Sequence, residues 1–454
     1  MTELPDLKQL TPEAKDALIQ SLWEEIQKLR KTVEKPPKKT AKNSSLPPSQ
    51  GFKPSVKPST KPSESSVQRA GSLGRAGGGR ALSEQPDQIV QARLQQCGDC
   101  GVSLAPELQR LMQRYEKIEI PPIRPVVTRV ERYGCDCPNC GKAQLAVVPA
   151  SLAAGSPFGQ SIAVLVTTLR YSHAISYARM QRLMQEVFGL EISEGAIGNV
   201  LRQVKDQLNS TVNGIVTRLR QARVIGSDET SARVNGVNQW EWTFQNDEVC
   251  LHVIRPSRGA EVITEVLAGH CPSVWVSDLF SAQKTHPAED WQVCLAHQLR
   301  DCQYAIEAGD EIFAPPMKRL LLWAIAVRQR WDKLAQSTRY QYLTRLHRQL
   351  RELLQRSPTQ ADGIRLQKRY RGLQDNLFLF LEDTTLPATN NASEQALRLS
   401  VIFRKVTNGF RSDWGRDLFA DVRSIVNTGK RQGLSAFQAI SRALDPAQSL
   451  FPLS

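Results

Sequence analysis

The sequence predicts an α/β core that carries a large all-helical insertion, preceded by an N-terminal helix, a cysteine ribbon and a helical block. Three observations carry this prediction. Between residues 223 and 299, short apolar runs at ARVIGSD, NQWEWTFQN, EVCLHVIRP and SVWVSD alternate with a helical pattern at GAEVITEVLAG. Residues 311–381 are nearly all helical in pattern and rich in arginine. The stretch from Pro387 to Arg411, PATNNASEQALRLSVIFRKVTNGFR, opens on turn and cap residues and continues as helix, with Glu394 one turn in and Arg398 at i+4 on the same face. Upstream, Asp228 in VIGSDET and Asp278 in VWVSDLF each close a run that reads as a buried strand. Three carboxylates from two strands and a helix make an oxygen-rich pocket for hard divalent cations.

Length and composition bound what surrounds that pocket. At 454 residues the chain exceeds one compact core, so several folding units are expected. We divide it at 1–34, 35–90, 91–150, 151–220, 221–310, 311–385 and 386–454. No run of about twenty apolar residues is present, which argues against a membrane span. MTELPDLKQL lacks the basic-then-apolar pattern of a secretory signal, so the expected location is the cytoplasm. A net charge of +14 favours a polyanionic partner, most simply nucleic acid, although an anionic membrane surface would fit charge alone. Five of the nine cysteines fall between Cys97 and Cys140, which in a reducing compartment suggests metal rather than disulfides.

Taken in order, residues 11–34 keep an apolar stripe at Ile19, Leu22, Ile26, Leu29 and Val33. It suits a short coiled coil and equally a helix packed on its own chain. Residues 35–80 are rich in Pro, Ser and Gly, with ten Lys/Arg against one acid, Glu64. Such a segment buries too little apolar surface to order itself and reads as a basic linker, touching phosphates or serving as a plain tether.

Cys97-Gly-Asp-Cys100-Gly and Cys137-Pro-Asn-Cys140-Gly are two CxxC knuckles, each followed by glycine. Four thiolates in that spacing fit one tetrahedral, structural zinc ion. Cys135 is an alternative to Cys137, and the CPNCG spacing favours the later pair. Residues 157–219 read as helix throughout. Within them, ARMQRLMQEVFGLEISEGAIGNVLRQV has the outline of a helix-turn-helix, with a Gly189 turn and a Ser193 cap. DNA binding and packing as a helical collar both fit.

The order of three strands, a helix, a fourth strand and another helix over 223–299 is that of a ribonuclease H-like core. Trp240 and Trp242 fit packing on one sheet face better than stacking on bases. WQVCLAHQLRD reads as a further strand containing Cys294-Leu-Ala-His297. With no companion pair downstream, a buried thiol and a histidine beside the acidic site is the favoured reading of that CxxH.

Nearly the whole chain resembles a transposase of the insertion-sequence sixty-six family of bacterial mobile elements, of the DDE type. The matching features run in the family's order: the N-terminal helix, KNSSLPPS at 42–49, the cysteine ribbon, the helical block with His173, SDET, SDLF, CLAH and TNNASEQALRLSVIFRK. Two family prolines are missing, one after His173, where the run is HAISYAR, and one after Arg398, where Leu399 stands. The resemblance implies that Asp228, Asp278 and Glu394 are the catalytic acids, in a ribonuclease H-like fold with an all-helical insertion before the glutamate.

That implies metal-dependent strand cleavage at element ends and 3′-hydroxyl strand transfer into target DNA. Two Mg2+ ions, with Mn2+ as a substitute, would be held by Asp228, Asp278 and Glu394. Arg398, Arg404, Lys405 and Arg411 would bind phosphates rather than read sequence. Expected partners are double-stranded DNA, a second copy or higher oligomer on DNA, companion proteins of the element, and no membrane. A nucleoid-associated cytoplasmic location follows. The rival readings are a non-catalytic DNA-binding regulator or relic, and a nuclease of the same fold that cuts without joining.

Overall fold

A computed structural model describes residues 11–33, 81–278, 281–445, 448, 450 and 451. The basic linker at 35–80 lies outside these residues, and 81–90 carry no helix or strand. The chain divides into two compact units, residues 54–126 with 187–189 in one and the remainder in the other. In the smaller unit the first knuckle is closed by an antiparallel bridge between Gln96 and Ser103. A 3-10 turn follows at Pro106–Leu108.

In the larger unit, α1 (Pro12–Val33) exposes Ile19, Leu22 and Ile26. The strands β1 (Gly134–Asp136) and β2 (Ala143–Leu145) pair antiparallel around the second knuckle. Three helices follow: α2 (Gln160–Tyr171), α3 (Tyr177–Phe188) and α4 (Glu194–Leu219). The helix-turn-helix outline is present locally. Gly189 takes φ 62°, and the Ser193 side chain accepts from Ala196 N at 3.1 Å to cap α4. However, α4 buries Ile197, Val200, Leu201, Val204 and Leu208 and packs on α2 and on the C-terminal helices, as a collar does.

The core sheet comprises β3 (Val224–Val234), β4 (Val237–Gln245), β5 (Cys250–Arg255), β6 (Val274–Ser277) and β7 (Asp290–Val293), in the order β5-β4-β3-β6-β7. Only β4 runs against the others. The β3–β4 turn places Asn235 at φ 48° and Gly236 at φ 80°, the left-handed pair that a two-residue hairpin requires. Between β5 and β7 lie α5 (Ala260–Leu267) and α6 (Ser281–Lys284).

One expectation is corrected after β7. The strand expected over WQVCLAHQLRD stops at Val293, and Cys294 is the N-cap of α7 (Leu295–Glu307). The reason is periodicity. Leu295, Gln298, Cys302 and Ala305 are buried at helical spacing, which a strand would split between two faces.

The all-helical insertion is present as α8 (Ala314–Arg328), α9 (Gln336–Leu354), α10 (Ala361–Arg371) and α11 (Leu379–Glu382). Met317, Leu320, Leu346, Leu350, Tyr370 and Phe378 form its core, continuous with Leu295 and Cys302 of α7. The buried Asp310 carboxylate accepts from Ala314 N at 2.6 Å and so caps α8. A Cβ at Gly363 would lie 2.5 Å from that carboxylate, which explains the glycine there. The chain closes with α12 (Asn391–Thr407), α13 (Asp413–Arg431) and α14 (Ala436–Leu444). Helix α12 lies on β3 and β4, and α13 on β5.

Candidate metal centre

The first two acids are placed by strand register, and one expectation is corrected. Asp228 does not close its strand but lies within β3, which continues to Val234 because the residues after it pair with β4. Parallel pairing sets Val224 level with Val274, Ile225 with Trp275 and Gly226 with Val276. Continued by two residues, the same register sets Asp228 level with Asp278, which directly follows β6. Each aspartate follows a wholly buried serine. Ser227 Oγ accepts from Trp275 Nε1 at 2.8 Å, and Ser277 Oγ donates to Gln283. Alternation along the strand then turns Asp228 to the face opposite Ser227.

The third acid arrives on α12, and Asn390 fixes where. Its Nδ2 donates to Ser227 O at 2.6 Å, next to Asp228, and its backbone N–H donates to Cys294 Sγ at 3.1 Å. Its Oδ1 accepts from Ser393 Oγ at 2.6 Å, while Gln245 Nε2 donates to Ser393 Oγ at 2.8 Å. One buried asparagine thereby joins β3, the start of α7 and the first turn of α12. Gly226 makes that approach possible, because a Cβ there would meet Asn390 Oδ1 and Ser393 Oγ, both at 3.3 Å.

The electrostatics link the three acids. Burial pushes the Asp228 carboxyl well above the usual carboxylate range, and the charges of Glu229, Asp278 and Glu394 push it further. The Glu229 N–H, 2.9 Å from Asp228 Oδ1, opposes this only in part. Glu229 itself is pushed up to about 7 by burial and by Asp278, against the Arg258 guanidinium that bonds it at 2.6 Å. Around Glu394, Arg300 Nη2 stands 3.8 Å and His297 Nδ1 3.7 Å from Oε1, beyond hydrogen-bond reach. An all-oxygen donor set around Asp228, whose ionisation burial and like charges disfavour, suits a hard divalent cation, which would reverse both effects.

The other expected residues divide. Arg398, Lys405 and Arg411 are exposed. Arg404 is half-buried and committed to β3, donating to Ser231 O and, at 2.5 Å, to Ser231 Oγ. Trp242 is buried and stacked on Phe244 at 6.0 Å, and Trp240 lies under the Arg258 guanidinium at 4.5 Å, both as packing residues. The two knuckles share one local form. Gly101 N donates to Cys97 O at 3.0 Å and Gly141 N to Cys137 O at 2.8 Å, with glycine φ values of 71° and 68°. In each, backbone N–H groups point at the first sulfur and lower its pKa, from Cys100 and Asp99 at Cys97, and from Cys140 and Asn139 at Cys137. Cys135 sits outside the turn, in β1 opposite Gln144.

Sequence reasoning missed Asn390, Ser393, Gln245, Glu229 and Arg300. The paired asparagines of TNNASE are visible as cap residues, but their long-range partners are not. Cys294, His297 and Glu394 also converge, with their ligand atoms within 4.8 Å of one another.

The family model "Transposase IS66 family" matches residues 155–417. That span is more than half of the chain, and the chain belongs to this family. No curated protein matches it. Among solved structures, "Crystal structure of the Mos1 Strand Transfer Complex" is similar at 12% identity and a TM-score of 0.13, the match covering 34% of this chain and 65% of that one. A likeness that slight carries no weight for fold or chemistry. No helix among the described residues is long and apolar enough to cross a membrane.

Proposed function

We propose that this IS66-family transposase cleaves DNA strands at the ends of a mobile element and joins the freed 3′-hydroxyls to target DNA, using Asp228, Asp278 and Glu394. The observation that carries the reading is the convergence of three acids from segments up to 166 positions apart, on the middle of β3, the end of β6 and the first turn of α12. A sheet ordered 3-2-1-4-5, with only its second strand reversed, supports a ribonuclease H-like core. That topology puts two acids on adjacent central strands.

Asp228, Asp278 and Glu394 would hold Mg2+ or Mn2+, which supplies an activated oxygen nucleophile and neutralises charge on the leaving oxygen. Asn390 and Ser393 hold the first turn of α12 against β3 and so fix the position from which Glu394 faces the aspartates. Arg398, Lys405 and Arg411 provide exposed cations for neighbouring phosphates, and Arg404 serves chiefly to hold α12 on β3. A single zinc ion held by Cys97, Cys100, Cys137 and Cys140 is part of the same proposal. The matching turns support it, and they favour Cys137 over Cys135.

The test is strand cleavage and transfer by Asp228→Asn, Asp278→Asn and Glu394→Gln. Each substitution keeps shape and removes one charge, so folding and DNA binding should survive. Loss of a ligand should lower the rate by roughly a thousandfold or more, equivalent to several kcal/mol of transition-state stabilisation. A variant retaining a tenth of wild-type transfer would remove that residue from the ligand set.

A further inference from the structure

Beside the all-oxygen cluster, the start of α7 presents donors of a different chemistry. Cys294 Sγ lies 3.3 Å from His297 Nδ1, which lies 3.7 Å from Glu394 Oε1. A tetrahedral zinc ion, with sulfur at about 2.3 Å and nitrogen or oxygen at about 2.0–2.1 Å, separates its ligand atoms by about 3.3–3.6 Å. These two spacings match within a few tenths of an ångström, and all three ligand atoms lie within 4.8 Å of one another. We propose that Cys294, His297 and Glu394 bind one borderline divalent cation of the zinc class, at a site that shares Glu394 with the carboxylate cluster.

A second observation is geometric: at the N-cap of α7 the Asn390 backbone N–H donates to the Cys294 sulfur at 3.1 Å, and it opposes the burial that pushes this thiol up. Cys294-Leu-Ala-His297 keeps the CxxC spacing of the knuckles with histidine in place of the second cysteine, set in the first turn of α7 rather than in a glycine turn. Its missing companion comes from α12, about a hundred positions later, as a carboxylate.

Access differs between the donors. Cys294 is fully buried, whereas the His297 and Glu394 side chains are 13% and 27% exposed. Three protein ligands with an open side resemble a catalytic-type zinc arrangement rather than a closed structural one. Thiolate and imidazole select a softer ion than Asp228 and Asp278 do. An ion held here engages the Glu394 carboxylate and changes the donor set left for Mg2+. Zinc-class metal would therefore modulate the proposed chemistry without belonging to the Mg2+ pair.

The experiment uses Co2+ as a spectroscopic probe on the full chain carrying Cys97→Ser, Cys100→Ser, Cys137→Ser and Cys140→Ser, which silences the knuckles. A thiolate-to-cobalt charge-transfer band should saturate at one equivalent of Co2+. It should vanish on adding Cys294→Ser or His297→Ala and persist with Asp228→Asn or Asp278→Asn. Should the knuckle variant misfold, zinc content of the otherwise intact chain tests the same site, with Cys294→Ser carrying one ion fewer at an unchanged circular dichroism spectrum. A missing band in folded protein, or an equal band or zinc content with Cys294→Ser, overturns the site and leaves His297 as an ordinary hydrogen-bond partner of Cys294. Neither readout involves DNA cleavage, so this inference and the proposed function fail separately.

Discussion

Two clusters of charged side chains sit on the same sheet and are built in opposite ways. Under α12 and α13, Glu241 is 2% exposed and accepts from His252 Nδ1 at 2.8 Å and Ser400 Oγ at 2.7 Å. His252 Nε2 accepts from Asn427 Nδ2 at 2.7 Å, and Arg423 donates to Asn427 Oδ1 at 3.1 Å. Within β3 and beside the end of β6, by contrast, Asp228 is buried among Glu229, Asp278 and Glu394, and its carboxyl is driven up instead of being matched by a cation. The first cluster uses its polarity to hold α12 and α13 to the sheet. The second gathers carboxylates from β3, the end of β6 and the start of α12. A buried carboxylate answered by a histidine and a hydroxyl specifies packing, whereas one surrounded by other carboxylates marks a place for a counter-ion.

The largest expected effect breaks the first cluster. Glu241→Ala strips His252 and Ser400 of their acceptor in a dry interior and should cost about 3–5 kcal/mol. Chemical denaturation of the metal-free chain measures it. Asp228→Asn in the same assay should cost nothing or stabilise, because it removes a charge disfavoured by burial and by its neighbours. Equal losses for both variants would erase the distinction.

The next effect lies where the clusters meet the same helix. Asn390→Ala leaves Ser227 O and Ser393 Oγ without their partner and should cost about 1–3 kcal/mol. Because Asn390 positions the turn that carries Glu394, strand cleavage should fall by more than DNA binding. A loss confined to stability, with full cleavage by the folded fraction, would make Asn390 purely structural.

The smallest effect concerns the exposed cations. Arg398→Ala and Lys405→Ala should each flatten the dependence of log affinity on log salt by about one unit. Arg404→Ala should instead lower the melting temperature, because its guanidinium is bound to Ser231. A salt-slope change from Arg404 equal to that from Lys405 would reassign it to DNA.

The contrast also explains what the sequence reveals. Asp228 and Asp278 are legible because each ends an apolar run, where a carboxylate has no packing reason to be. Glu394 is legible because turn residues fix the start of its helix. The insertion is legible from long stretches of helical periodicity, as in α8 and α9. The Glu241 network is invisible because Glu241 and His252 look like ordinary polar positions on strands. Their partners Ser400, Arg423 and Asn427 lie some 150 positions or more away on helices that cover the sheet. Cys294 is hard to place for a related reason. WQVC is apolar enough to read as strand, and the helical period that begins at Leu295 shows only once the buried set to Ala305 is known. Local pattern therefore locates the acids, while long-range pairing decides which charged group is structure and which is site.

The most direct measurement is Mn2+ binding, followed by electron paramagnetic resonance of the free ion, in the wild-type chain, Asp228→Asn, Asp278→Asn and Glu241→Gln. The account predicts that the wild type and the folded fraction of Glu241→Gln deplete free Mn2+ alike, whereas Asp228→Asn and Asp278→Asn each lose that binding while remaining folded. Equal Mn2+ binding by wild type and by both aspartate variants would contradict it, for the acids of β3 and of the end of β6 would then hold no cation.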